Sequence, residues 1–122
     1  MEEYLVLYPN GHMNWIQTSH RCICAAFHKA IGCDDLEHVT LPYGFGCVVD
    51  GCGKIKAEPQ PLNPLASRLY PGTFHGDPLV GPVVFVRIDL IDGEPDWAPL
   101  RSQDLMLLEL ILGKKIPAHG QA

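Results

Sequence analysis

Residues 79–90, which read LVGPVVFVRIDL, decide the fold of this chain. The four consecutive apolar residues at 83–86 leave no polar side chain that would face water, so the pattern predicts a strand buried on both faces. β-Branched and aromatic residues of this kind also favour strands. We therefore place this segment at the centre of a sheet.

Shorter β-rich runs lie on its N-terminal side. Residues 4–8 and 13–17 predict a hairpin, because Pro9-Asn10-Gly11 between them is typical of a turn. Residues 36–41 predict a further strand that ends before Pro42. Residues 47–50 and 54–56 predict a second hairpin, since Asp-Gly is preferred in tight hairpin turns. We interpret residues 71–78 as a loop and residues 92–95 as a turn.

Three helices are predicted. The first follows a cap at Thr18 or Ser19 and ends at Gly32, and its apolar residues lie on one face at positions 23, 26, 27, 30 and 31. The second begins with Asn63 as cap and Pro64 in the first helical position, and has about two turns before Pro71.

The last helix follows a Ser102 cap, has Asp104 near its positive end and stops near Gly113. Residues 105–112 are apolar nearly all round, which is typical of a helix that is deeply packed or shared between subunits. We therefore expect a homo-oligomer, a dimer or higher, through this helix.

Together these elements predict an α+β fold in a single domain of residues 1–122. The sheet is expected to be mixed or mainly antiparallel, with the amphipathic helix on one face, a short helix after Asn63 and an apolar C-terminal helix. Residues 113–122 are expected to form a flexible tail.

The charge balance limits the partners. Nine basic and fourteen acidic residues give a net charge of −5, which argues against binding to nucleic acid or to an anionic membrane. The acidic start Met1-Glu2-Glu3 lacks the basic residues of a signal peptide, and no apolar run is long enough to span a bilayer. The five cysteines, an odd number, suit a reducing cytoplasm.

Two catalytic or metal arrangements are considered. Zinc would need four ligands, and Cys24 and His28 share a helical face that Cys47 and Cys52 would have to approach. The alternative is that the cysteines are small core residues. Ser67, His75 and Asp77 lack the surroundings of a catalytic serine, so we predict no catalytic residue, no metal and no cofactor.

The start of the second helix is the candidate binding site. Free N–H groups at a helix start attract phosphate or carboxylate, and Arg68 offers a planar fork to the same anion. An aromatic ring such as Tyr43 would stack on a flat ligand. The candidate ligand-binding residues are Asn63, Ser67, Arg68, Tyr43 and His75. Otherwise Asn63 only caps its own helix, and Arg68 pairs with a surface acid.

Four motifs occur in an order that resembles a known family. They are AIG with LEHV at residues 30–32 and 36–39, VVDGCG at 48–53, NPLAS at 63–67 and GPVVFV at 81–86. Over residues 4 to 112 the chain resembles the phage- and plasmid-borne family called domain of unknown function 3846. Its cysteine-rich first helix departs from that pattern.

The resemblance implies a bacterial mobile element, and by analogy of setting a protein that acts against host defence. On that basis we expect a non-enzymatic, cytoplasmic binding protein that sequesters a small anionic ligand, such as a nucleotide immune signal. One alternative is a protein-interaction module that inhibits a host protein through its apolar C-terminal helix. The other is a small nucleotide hydrolase with His75 as the base.

Overall fold

A computed structural model of the chain describes residues 1–56 and 58–118. Within these residues six strands and three α-helices form one α+β domain, as expected. In chain order they are β1 (Glu2–Leu7), β2 (Met13–Thr18), α1 (Ile23–Ile31), β3 (Leu36–Thr40), β4 (Phe45–Asp50), α2 (Pro64–Ser67), β5 (Val83–Ile91), β6 (Glu94–Ala98) and α3 (Ser102–Leu112). Short 3₁₀ turns lie at His20–Cys22, Pro42–Gly44 and Pro71–His75.

The sheet is antiparallel in every recorded strand pair, in the order β2-β1-β5-β4-β3. The prediction that β5 is central is confirmed, since its first four residues, 83–86, are fully buried. β1 pairs with the first part of β5, where Leu5 faces Phe85, and β6 pairs with the last part, where Ile88 faces Trp97. Strand β5 thus pairs with β4 along one edge, and with β1 and then β6 along the other edge.

The second hairpin was predicted at the wrong Asp-Gly pair. Residues 51–56 form turns and not a strand, because β4 is already paired on both sides, with β3 and β5. The hairpin joins β5 to β6 instead, through Asp92 and Gly93. Both have positive φ, 53° and 81°, the backbone of a two-residue turn that suits the twist of an antiparallel pair. The turn predicted at residues 92–95 is confirmed at Asp92 and Gly93, whereas residues 94–98 form strand β6, which was not predicted.

Helix α1 covers one face of the sheet. Ile23, Phe27 and Ile31 are buried at the predicted spacing, and full burial of a side chain such as Phe27 stabilises the fold by about 1.5–3 kcal/mol. The Phe27 ring meets the edge of Tyr4 with centroids 5.0 Å apart. Gly32 ends the helix with φ 73°, as predicted. The predicted cap was wrong, because a 3₁₀ turn leads into α1 and no side chain caps it.

Helices α2 and α3 cover the opposite face. Leu108 and Leu112 of α3 pack into the same core cluster as Leu5, Phe85 and residues around α2. Arg101, and not Ser102, is the N-cap residue, and its N–H donates to the Asp104 carboxylate at 2.8 Å. Arg87 of β5 donates to the same carboxylate at 3.1 Å, so Asp104 ties the start of α3 to the central strand.

Asn63 connects three parts of the chain from a fully buried position. Its amide nitrogen donates to the carbonyl oxygens of Leu7 and Gly81 at 3.0 and 2.9 Å, and its amide oxygen accepts from the Ala66 N–H. The predicted cap is confirmed. The helix behind it has only one turn, not two, and a 3₁₀ turn follows at Pro71–His75.

The C-terminal segment packs against the fold as far as it is described. Ile116 is buried, and the Trp15 indole N–H donates to the carbonyl oxygen of Pro117 at 2.7 Å. Of the expected flexible tail, residues 119–122 lie outside the described residues. None of the helices within the described ranges has the length and apolar character needed to cross a membrane.

His20 forms hydrogen bonds to both β1 and β6, the two strands that pair with the same edge of β5. His20 lies between two carboxylates, with Nδ1 3.0 Å from Glu2 of β1 and Nε2 2.7 Å from Asp96 of β6. These hydrogen bonds, that of Asp96 first, raise the pKa of His20 above its ordinary 6.5. The protonated ring is therefore the form that the fold favours.

Replacement of Asn63 by Ala should lower the free energy of unfolding by about 2–4 kcal/mol, because it leaves two buried carbonyl oxygens and one N–H without their partner. Urea denaturation measures the loss. Leu62→Ala, at a half-exposed neighbouring position, is the control and should change little. Equal losses in the two variants would contradict the role given to the Asn63 amide.

His20 should make stability depend on pH in a defined direction. Because its folded pKa is raised, its contribution is complete below about pH 6.5 and is lost as pH rises through the folded pKa. Urea denaturation between about pH 5 and 9 should show a smaller decline for His20→Gln than for the unchanged protein. His38, whose pKa is lowered by desolvation, acts with the opposite sign in both proteins, so their difference isolates His20. Parallel pH profiles would contradict the assignment.

Candidate functional site

Two of the predicted site residues, Asn63 and Ser67, are buried and form hydrogen bonds that hold the fold together. Asn63 is fully buried and Ser67 nearly so. The Ser67 hydroxyl donates to the carbonyl oxygen of Asn63 at 2.7 Å and accepts from the Leu79 N–H at 3.0 Å. These side chains hold α2 against the start of β5, and a ligand would have to displace those bonds to reach them.

The other three lie at the surface. Arg68 donates to the last carbonyl of α3, that of Leu112, at 3.2 Å, and His75 is exposed in its 3₁₀ turn. Tyr43 is exposed at the other end of the sheet. Asn63 bonds to Gly81 just before β5, whereas the residue after Gly44, Phe45, pairs with Arg87. Six residues of strand separate the two levels, about 20 Å, so Tyr43 and Asn63 do not share one site.

The possible zinc ligands also lie apart. Cys47 is fully buried on the sheet face that α3 covers, and Cys24 lies beside Ile23 and Trp97 at the start of α1. His28 and Cys52 share a different depression. Across residues 1–56 and 58–118, no three His, Cys, Asp or Glu residues are placed to hold a metal ion.

We call that depression the α1-end pocket. It opens where α1 ends and β3 and β4 meet the turn at residues 51–56, and it has a volume of about 690 Å³. The volume lies within the roughly 300–1,000 Å³ typical of small-molecule sites. The residues that line it are Ala25, His28, Lys29, Gly32, Cys33, Asp34, Asp35, Asp50, Cys52 and Lys56.

Asp50 holds the wall of the pocket in place. Its side chain is fully buried and forms an ion pair with Lys56. It accepts from the Cys52 N–H at 2.9 Å and from the Gln60 amide at 3.4 Å. Burial alone would raise the pKa of Asp50, but these donors outweigh it and the pKa lies below its usual range. The turn is therefore built around a buried, ionised carboxylate.

The turn also lies close against the residues before β3. The Gly51 N–H donates to the carbonyl oxygen of Asp35 at 2.8 Å. A Cβ at Gly51 would lie 2.5 Å from Oδ2 of Asp35, so a larger residue at this position would require the Asp35 side chain to move. The Cys52 thiol donates to that same carboxylate oxygen at 3.5 Å. The Cys33 thiol lies 3.4 Å from the Asp35 carbonyl oxygen, and both sulfurs thus border the pocket.

The surroundings keep both thiols protonated. Burial, and then the charge of Asp50, raises the pKa of Cys33, and the hydrogen bond to Asp35 raises the pKa of Cys52. The thiolate is the reactive and metal-binding form of cysteine, so these are poor nucleophiles at neutral pH. His28 donates from Nδ1 to the carbonyl oxygen of Cys33 at 2.9 Å, which leaves Nε2 as an acceptor in the neutral ring.

A smaller cleft lies near the same turn, between it and the connection from α2 to β5. Its lining includes Val39, Val49 and Tyr70, and the Lys54–Asp77 ion pair closes one side. Its volume of about 220 Å³ is below the usual range for a small-molecule site. The α1-end pocket is larger, and several charged side chains converge in it.

Sequence reasoning named His28 and Cys52 only as possible metal ligands, and Asp34 and Asp35 not at all. The pocket depends on the pairing of Leu36 with Asp50, which brings residues 33–35 beside residues 50–52. The sequence did contain a signal for each half of the pocket. Asp34 and Asp35 follow within three residues of Gly32, where α1 ends, and Cys52 lies two residues after Asp50. Only the strand register shows that the two segments meet.

Comparisons with protein-family models, curated proteins and solved structures gave no match. The resemblance described from the four motifs stays a prediction.

The order of cysteine alkylation tests the description of the thiols. Iodoacetamide at about neutral pH should modify the exposed Cys22 and Cys24 first, because reagent and water reach them freely. Cys52 should follow more slowly, and Cys33 and the fully buried Cys47 last. Peptide mass spectrometry over time measures the order. Modification of Cys33 or Cys52 as fast as Cys22 would contradict the protonated state assigned to the pocket thiols.

Proposed function

We propose that the protein is a non-enzymatic binding protein that sequesters a small molecule in the α1-end pocket. The observation that carries this proposal is a pocket of about 690 Å³ whose wall is fixed by the buried Asp50–Lys56 pair. Preformed walls lower the conformational cost of holding a ligand. Chargeable groups from two separate segments, residues 28–35 and 50–56, converge there, as is typical of binding sites.

The charges of the pocket favour a ligand with an ammonium or guanidinium group. Asp50 and Lys56 neutralise each other, which leaves Asp34 and Asp35 with Lys29. The negative end of the α1 dipole adds to that excess. A cationic group would be attracted by the two carboxylates, whereas the phosphates of a nucleotide would be repelled. In this proposal a cationic compound therefore replaces the anionic ligand that was expected from the start of α2 and from the analogy with anti-defence proteins.

The state of the pocket side chains supports binding without turnover. Covalent catalysis needs an activated nucleophile with a base in reach, and the two thiols here carry raised pKa values beside carboxylates. His75, the base of the hydrolase alternative, is exposed outside this pocket. Following the resemblance, we propose that the binding takes place in the cytoplasm of a bacterium that carries the mobile element.

Thermal unfolding with and without ligands tests the proposal. Putrescine, spermidine and agmatine serve as cationic probes, and ATP and cyclic dinucleotides as anionic ones. A cationic ligand at 100 times its dissociation constant adds about 2.7 kcal/mol of stability, which corresponds to an increase in Tm of several degrees. The double variant Asp34→Asn, Asp35→Asn should lose most of that increase.

The control removes the same charge elsewhere. Asp92→Asn with Glu94→Gln changes two acids at the β5–β6 hairpin, away from the pocket, and should keep the full increase in Tm. Equal loss in both double variants would show that the amines bind only to the net negative charge. A response to nucleotides alone would overturn the ligand class, and recovery of a chemically changed ligand would overturn the non-enzymatic assignment.

A further inference from the structure

Helix α3 leaves an apolar stripe uncovered on its outer side. Met106 and Leu110, one turn apart, are 69% and 80% exposed. Leu107 and Ile111 beside them are half-buried. Leu108 and Leu112, by contrast, are buried against the sheet. We call Met106, Leu107, Leu110 and Ile111 the α3 stripe.

Basic residues border both ends of this stripe. Arg101 precedes the helix, Lys114 and Lys115 follow it, and Arg68 meets its last carbonyl. Residues 101–118 contain three basic residues, Arg101, Lys114 and Lys115, and two acids, whereas the rest of the chain has six basic and twelve acidic residues. The stripe thus lies in the basic region of an acidic protein.

The two acids of this segment are occupied within the fold. Asp104 accepts from Arg87 and from the Arg101 N–H, and Glu109 accepts from the Ile116 N–H at 2.7 Å. Both carboxylates thus accept hydrogen bonds from within the fold. Arg101, Lys114 and Lys115 are exposed, and Lys114 also donates to the carbonyl oxygen of Gly11. A shallow depression of about 370 Å³ beside Leu110 is lined by Glu109, Gly113, Lys114 and Lys115. It has room for an apolar side chain of a partner beside Leu110, with Lys115 at its border.

We propose that the α3 stripe binds an acidic amphipathic segment of a partner protein. Apolar side chains of that segment would cover Met106 and Leu110, and its carboxylates would meet Arg101 and Lys115. Helices that lay an apolar face along such a surface are a common mode of recognition. Complementary charge at the border raises the association rate and excludes partners of the wrong sign.

Two other occupants are disfavoured by the same charges. A second copy would bring basic ends of the stripe toward basic ends, in either a parallel or an antiparallel arrangement. An anionic membrane would attract Lys114 and Lys115, but it would repel the acidic remainder of a chain with net charge −5. The stripe also lies on the sheet face opposite α1, so it is distinct from the α1-end pocket.

Fluorescence anisotropy with a designed peptide tests this proposal. The probe is a labelled peptide of about 15 residues with Leu at helical spacing and Glu elsewhere, and its counterpart carries Lys in place of Glu. The protein should bind the acidic peptide in preference to the basic one, and added salt should weaken the binding. Leu110→Ser and Lys115→Glu should each weaken it about tenfold.

Leu90→Ser is the matched control, because Leu90 is also an exposed leucine, 75% exposed, but lies on β5. It should leave the affinity unchanged, and circular dichroism checks that each variant is folded. Equal binding of both peptides, or an unchanged affinity of Leu110→Ser, would overturn the proposal. So would dimerisation abolished by Leu110→Ser, or binding to phosphatidylglycerol vesicles without binding to the acidic peptide. The double variant Asp34→Asn, Asp35→Asn should still bind the peptide, so failure of either proposal is seen separately.

Discussion

The rest of the structure depends on the burial of β5 on both faces. A strand with four consecutive apolar residues cannot lie at a surface, so it requires a layer on each side. Helix α1 supplies one layer through Phe27, and α3 supplies the other through Leu108. The neighbouring strands alternate accordingly, with Tyr4 and Val6 toward α1 and Leu5 and Leu7 toward α3. Even the buried polar residues serve this arrangement, since Asn63 and Asp104 each fasten a covering helix to the sheet.

Local patterns in the sequence predicted much of this architecture. The periodicity of α1, the glycine at its end and the Asn63-Pro64 start of α2 each act within a few residues, and all three were confirmed. The two Asp-Gly pairs show where such reasoning fails. Both satisfy the chemistry of a tight turn, but only Asp92-Gly93 is followed by a segment that finds a free strand edge. Edge availability is a property of the whole sheet and is not encoded in either dipeptide.

The candidate site was harder to predict for the same reason. Asn63 and Ser67 are residue types found in binding sites. Here both side chains are buried, and their polar groups form hydrogen bonds with the backbone of Leu7, Leu79 and Gly81. The α1-end pocket is made by segments about fifteen residues apart that meet only in the observed register of β3 and β4. Its key residue, Asp50, was read as part of a turn. What distinguishes it is the burial of its side chain beside Lys56, and burial is known only after folding.

The position of β5 between β1 and β4 has a consequence for how the chain folds. Leu5 pairs with Phe85, and closing a loop of about 80 residues costs roughly 4 kcal/mol of chain entropy before any contact repays it. During synthesis, the β1–β2 and β3–β4 pairs emerge with an empty slot between them until residue 91 is made. Neither pair can complete the sheet before residues 83–91 are present, because β1 and β4 both pair with β5. Assembly of the sheet therefore waits for a late segment of the chain, as is typical of folds rich in long-range strand pairs.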